Sequence, residues 1–261
     1  MELTALSLAR LITNAYNRVR PGDDAEEHGG AGKTMIYLTG DIHGNPERLL
    51  QGKYKNIFKS GDRIIICGDF GLIWGGKYAC QGRRYLDKLA KLPCEVLFVD
   101  GNHENFDMLN SFPVAEYCGG QVHQIRQNVL HLMRGEIFDF EGRSFFCFGG
   151  ATSLDKDYRI PYISWWPGEI CSKAEEDNAL NHLEAVNYKV DYVITHTAPK
   201  FFCEGITGDF GQINLPCVVA DFLTEIYQKL EYQHWYFGHY HFNRTWEKYK
   251  CTGLYERIIR I

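Results

Sequence analysis

The sequence predicts an α/β domain built on two packed mixed sheets. Two observations carry that expectation. Short runs rich in β-branched and aromatic residues end abruptly in Gly, Asp, Asn or His: MIYLTGD, RIIICGD, EVLFVDGN, DYVITH and HWYFGH. Continuous apolar runs of this kind read as strands buried on both faces. Helical periodicity lies between several of them, and a strand-rich stretch fills the middle of the chain. Strands with crossover helices, interrupted by meanders, fit two sheets packed together.

Taken in order, Leu8, Leu11, Ile12, Ala15, Tyr16 and Val19 fall at helical spacing and predict an amphipathic helix over residues 1–20. It is expected to dock on the body or pair with another chain. PGDDAEEHGGAGK, residues 21–33, is rich in Gly and charge and reads as a linker. The main domain is then 34–261. Helices are expected at Arg83–Lys91, from Ser172, where Ser172 and Glu175 form an S-x-x-E capping box, and from Cys217 to Leu230. VLHLMRG, EIFDF and SFFCFGG read as successive strands with a turn at Glu141-Gly142. RTWEKYK and LYERIIRI read as strands about a turn at Thr252-Gly253.

Composition narrows the function classes. The 261 residues are 45% hydrophobic and 23% charged, enough for a sizeable core. A net charge of -5 gives no global basic field, so nucleic acid is not the favoured partner. The nine cysteines are odd in number and none forms a C-x-x-C, which points to reduced, mostly buried thiols. No run is long enough to span a bilayer, and MELTALSLAR lacks the basic start of a signal peptide. Cytoplasm is the expected compartment, with no membrane partner.

Five segments place metal-ligand residue types directly after a predicted strand. They are Gly40-Asp41-Ile42-His43-Gly44, Gly68-Asp69-Phe70-Gly71, Gly101-Asn102-His103-Glu104, Thr195-His196-Thr197 and Gly238-His239-Tyr240-His241. Sites in α/β folds form at the carboxyl ends of strands, so these loops are expected to converge. Carboxylate, imidazole and amide oxygen together suit borderline divalent ions. Asp41 and His43, like His239 and His241, are two residues apart and would point the same way from extended backbone. A single strand-end histidine is more commonly a hydrogen-bonded core residue. Five such ends in one chain require five separate coincidences.

GDIHGN, GDF, GNHE, THTAP and GHYH, in this order, resemble the calcineurin-like metallophosphoesterase superfamily, over roughly Met35 to the C-terminus. The resemblance implies a four-layer α/β/β/α sandwich and a binuclear metal-dependent phosphoester hydrolase. Position by position, it implies that Asp41, His43 and His241 hold one metal and Asn102, His196 and His239 the other. Asp69 would bridge the two, and His103 would be a non-ligand general acid. The implied cofactors are two divalent ions, manganese first, with iron, zinc or nickel as alternatives. A hydroxide between them is the implied nucleophile.

The substrate is read from a departure. Protein Ser/Thr phosphatases of the superfamily carry G-D-x-x-D-R-G, whereas Leu72 and Ile73 stand here at the acid and arginine positions. The resemblance is therefore to bacterial or phage-type members, acting as phosphodiesterase or phosphatase on a small phosphorylated or nucleotide substrate. His103 then needs another partner, Asp100 or a backbone carbonyl. Arg159 is the candidate phosphate clamp, and Trp165 and Trp166 the candidate base-stacking residues, weighed against ordinary packing. Phe201-Phe202 and Gly205 to Gly211 are candidates for a cleft wall. The alternatives are a nuclease or RNA-end-processing enzyme, and a non-enzymatic interaction module on the same fold. Oligomeric state stays open.

Overall fold

The computed structural model describes residues 34–202 and 217–261. The expected helix at 1–20, the linker at 21–33 and the stretch from Gly205 to Gly211 lie outside the described residues.

Both sheets are mixed. In the first, β1 (Ile36–Thr39), β2 (Arg63–Cys67), β3 (Glu95–Val99) and β6 (Val129–Leu132) run parallel in that order. The antiparallel strands β5 (Gly120–Arg126) and β4 (Val114–Tyr117) extend one edge, and β13 (Ile259–Arg260) closes the other. In the second sheet β8 (Arg143–Phe148), β9 (Tyr192–Thr195), β10 (His234–Phe237) and β12 (Cys251–Gly253) are parallel. There β7 (Glu136–Phe140) and β11 (Arg244–Trp246) form antiparallel edges.

Strand alternation sorts the apolar side chains into three cores. Ile65, Cys67, Leu97 and Val99 from the first sheet meet Phe145, Cys147, Ile194 and Tyr236 from the second. The intervening residues Ile64, Ile66, Val96 and Phe98 face outward, against α2 (Ala79–Leu89) and the short helices α1 (Glu47–Leu50) and α3 (Phe106–Leu109). On the other side Phe146, Phe148, Val193, Trp235 and Phe237 pack under α4 (Lys173–Ala185) and α5 (Val218–Tyr227). Helices, sheet, sheet and helices thus form four layers. Strands buried on both faces explain the uninterrupted apolar runs.

Local signals place the elements. Ser172 caps α4 by accepting from the Glu175 amide, and the Glu175 carboxylate accepts the Ser172 amide at 2.6 Å. Glu141 and Gly142 both take positive φ, 58° and 73°, as a two-residue hairpin turn requires.

The C-terminal expectation needs correcting. Thr252 and Gly253 are not a turn but lie within β12, paired to Tyr236 and Phe237 of β10. The chain turns earlier, at Glu247–Tyr249, with Lys250 at φ 46°. Gly253 is required by packing, because a Cβ there would collide with the Phe242 ring. LYERIIRI then leaves the second sheet, and Ile259–Arg260 pairs with Leu38 and Tyr37 of β1. Among the described residues no helix is long and apolar enough to cross a membrane, and no described cysteine forms a disulfide.

A buried ion pair fastens the end of β3. Arg134 donates to Asp100 Oδ2 through Nε at 3.0 Å and Nη2 at 2.5 Å, and His131 Nε2 lies 3.1 Å from Oδ1. Burial alone would raise the Asp100 carboxyl, but Arg134 and then His131 outweigh it and hold it below the ordinary carboxylate range. Its contribution is full above about pH 4 and is lost as pH falls through that depressed value. Arg134→Met should therefore destabilise by about 3–5 kcal/mol at pH 7, because it leaves a buried charge unpaired. Urea unfolding at several pH values should show the deficit shrinking in acid.

Candidate metal centre

The carboxyl ends of β1, β2, β3, β9 and β10 carry the five loops. Asp41 and His43 follow β1, Asp69 follows β2, and Asn102 and His103 follow β3. His196 follows β9, and His239 and His241 follow β10. Backbone bonds tie the loops together: the His43 amide donates to Asp69 O at 2.8 Å and the Gly238 amide to His196 O at 3.0 Å. Gly101 permits a close approach, since a Cβ there would overlap the Asp69 carboxylate. The expected geometry of the paired ligands is corrected. His43, Asp69, His239 and His241 have φ of 44°, 47°, 66° and 53°, so tight left-handed turns aim them, not strand alternation. Such backbone costs on the order of 1 kcal/mol or more per residue and clusters at functional sites.

The side chains form two adjoining groups. In one, His241 Nε2 lies 3.0 Å from Asp41 Oδ2 and 2.8 Å from His43 Nε2. In the other, His196 Nε2 lies 3.1 Å from Asn102 Oδ1 and 3.4 Å from Asp69 Oδ1. The second oxygen of Asp69 faces the first group, 3.7 Å from His43 Nε2. Asp69 therefore stands between the groups with one oxygen toward each. His239 stacks edge-on against His196 with ring centroids 4.9 Å apart. Asp41–His43–His241 and Asp41–Asp69–His196 each converge closely enough to hold one ion, so Asp41 also borders both positions.

Proton accounting tests whether these residues fit a cation. His196 Nδ1 lies 2.9 Å from the Cys67 carbonyl, which can only accept, so Nδ1 carries the proton. Its Nε2 then presents a lone pair. The Asn102 amide nitrogen donates to Ser153 Oγ at 3.0 Å, which turns Oδ1 toward His196. Lone pairs of His196, Asn102 and Asp69 thus face one another, an arrangement that fits a divalent ion. Burial opposes ionisation of Asp41, yet its hydrogen bond from His241 holds its carboxyl below the usual range. Burial pushes His239 down to about 3, leaving a neutral imidazole able to ligate.

Residues beyond the predicted set support the cluster. Buried Glu104 accepts the Phe70 and Gly71 amides at 2.7 and 3.1 Å and so holds the Asp69 loop. Burial and then the charge of Asp69 push its carboxyl well above the ordinary value. Arg48 donates to the Gly40 and Asp41 carbonyls at 2.5 and 2.6 Å. Glu104 closes the GNHE segment, which was its signal in the sequence. Arg48, on a four-residue helix, had none.

His103 sits beside the cluster. Its amide donates to Asp69 Oδ1 at 2.8 Å and its ring lies 5.4 Å from that of His43. Burial lowers its pKa, Asp69 opposes this, and the positive charge of Arg159 adds to it. Asp100 is not its partner, being taken by Arg134 and His131. Arg159 is held by Asp155 Oδ1 at 2.7 Å and the Ser164 carbonyl at 3.0 Å. Trp166 is 3% exposed, donates to Asp107 at 2.9 Å and packs on Trp74, so it is not available to stack a base. Trp165 is half-buried. Phe202 packs among Tyr227, Trp235 and Tyr249 instead of walling a cleft. Leu72 and Ile73 are both core residues.

Asp69→Asn should weaken binding at both metal positions, by at least about tenfold each, because even outer-shell changes cost 10–100-fold. Metal analysis after equilibrium dialysis reads this, and unchanged occupancy at either position would count against the shared carboxylate.

A profile of the calcineurin-like phosphoesterase family matches residues 34–243, an interval containing both candidate metal groups. No curated protein matches the chain. The family match covers most of the sequence and coincides with the strand-end cluster, and the chain belongs to the calcineurin-like phosphoesterase family.

Proposed function

We propose that the protein hydrolyses a small phosphodiester or nucleotide-type substrate with the help of two divalent ions, manganese foremost. The observation that carries this is Asp69, with one oxygen toward each candidate metal group and His103 bound to it through its amide. The ions, when bound, supply Lewis acidity at phosphoryl oxygens and lower the pKa of the attacking water. His103 stands next to the cluster without belonging to either metal group, which supports a role in which its imidazole hands a proton to the leaving oxygen.

The charges near His103 favour a diester over a monoester. Arg159 is paired with Asp155, and Arg48 is turned to the Gly40 and Asp41 backbone carbonyls. A diester carries one negative charge fewer and needs less compensation. The segment around Arg159 also exposes Leu154, Tyr158, Ile160, Tyr162 and Ile163, with Tyr158 91% exposed. Such an apolar patch beside a phosphate site suits a substrate with an aromatic or apolar body. Tyr158 and Tyr162 replace Trp166 as the residues available for stacking.

With Mn, Ni or Zn, the protein should turn over bis-p-nitrophenyl phosphate faster than p-nitrophenyl phosphate, and cyclic nucleotides faster than short RNA. Absence of turnover on every ester at confirmed metal occupancy would sink the proposal. His103→Ala should retain both ions and lose about 10²–10⁴-fold in kcat, the usual worth of a general acid. A comparable loss of bound metal would instead make His103 a ligand.

A further inference from the structure

We propose that Ser153 and Glu169 are positioning residues that decide which end of the Asn102 amide faces the metal centre. This rests on the cluster being a metal site, but not on its hydrolytic activity. Glu169 is fully buried at 0% exposure, and both of its oxygens are used by Ser153. Oε1 accepts the Ser153 amide at 3.0 Å and Oε2 lies 2.5 Å from the Ser153 hydroxyl. A carboxylate only accepts, so the single hydroxyl proton of Ser153 is committed to Glu169. Toward Asn102, at 3.0 Å, Ser153 Oγ then has only lone pairs. The amide nitrogen must face Ser153, and the amide oxygen must face His196 Nε2, 3.1 Å away.

The direction of this chain starts at Glu169, whose own place is fixed from behind. Arg134, paired with buried Asp100, donates to the Gly168 carbonyl at 2.9 Å and lies 3.4 Å from that of Glu169. A loop staple alone would need no such polarity, and that difference is testable.

Glu169→Gln keeps the shape and reverses the direction. The Ser153 amide still selects the Gln oxygen, so the Gln nitrogen donates to Ser153 Oγ. The hydroxyl proton turns to Asn102, which must answer with its oxygen and offer its NH2 to the centre. An NH2 group cannot ligate a cation. Mn²⁺ binding to the full chain, followed by titration calorimetry without substrate, should show one of two ions weakened about 10–100-fold and the other within about twofold. Metal-free melting should stay close to wild type. Ser153→Ala, which removes the anchor, should weaken the same ion and serves if Glu169→Gln fails to fold. Unchanged affinities in the folded variants, equal weakening of both ions, or a wild type that does not bind two ions would each overturn the proposal. A wild type that binds two ions yet hydrolyses no ester would leave it standing and defeat only the phosphoesterase proposal.

Discussion

Asp41 and Asp69 are each 1% exposed and share one cluster, and each raises the cost of ionising its neighbour. Two buried negative charges so close are sustained only when donors or cations surround them. The loops are organised around that requirement. The His239 amide is directed at Asp41, and the His103 amide at Asp69. His43, His196 and His241 press their ring nitrogens toward the same carboxylates. The left-handed backbone at four of these positions is the conformational cost of pointing so many groups inward.

The sandwich supplies the stiffness that such backbone needs. Three cores grip β1, β2, β3, β9 and β10 from both faces, so their ends are held by apolar packing and not by the loops themselves. The two sheets contribute different parts. Both central carboxylates come from the first sheet, while three of the imidazoles come from the second. The centre therefore exists only where the sheets are packed together, and the inter-sheet core is part of the site's architecture.

Much of this was legible in the sequence, because buried strands and ligand residues leave local marks. An apolar run stopped by Gly-Asp or Gly-Asn names both a strand and a site. What was not legible depends on contacts distant in the chain. Gly253 looks like a turn residue, but its lack of a side chain serves the Phe242 ring. Trp166 looks like a stacking surface, but Asp107 and Trp74 claim it. Asp100 stands close to His103 in sequence, yet Arg134 from beyond β6 captures it. Ser153 and Glu169 carry no motif, since their meaning lies in which atom donates. The two-residue spacing of Asp41 with His43 and of His239 with His241 suggests extended alternation, but tight left-handed turns bring these side chains together.

The segment between Ser153 and Glu169 has a firm base and an exposed apex. Its two ends are buried against each other, while Tyr158, Ile160, Tyr162 and Ile163 stand in solvent. Few constraints from the interior reach those apical side chains. Mutational drift can therefore rewrite them while the base stays put, and a loop transplanted between Ser153 and Glu169 would rest on the same pair of buried contacts. The apex can in this way change independently of the strand-end cluster, as an exchangeable cassette on a fixed base.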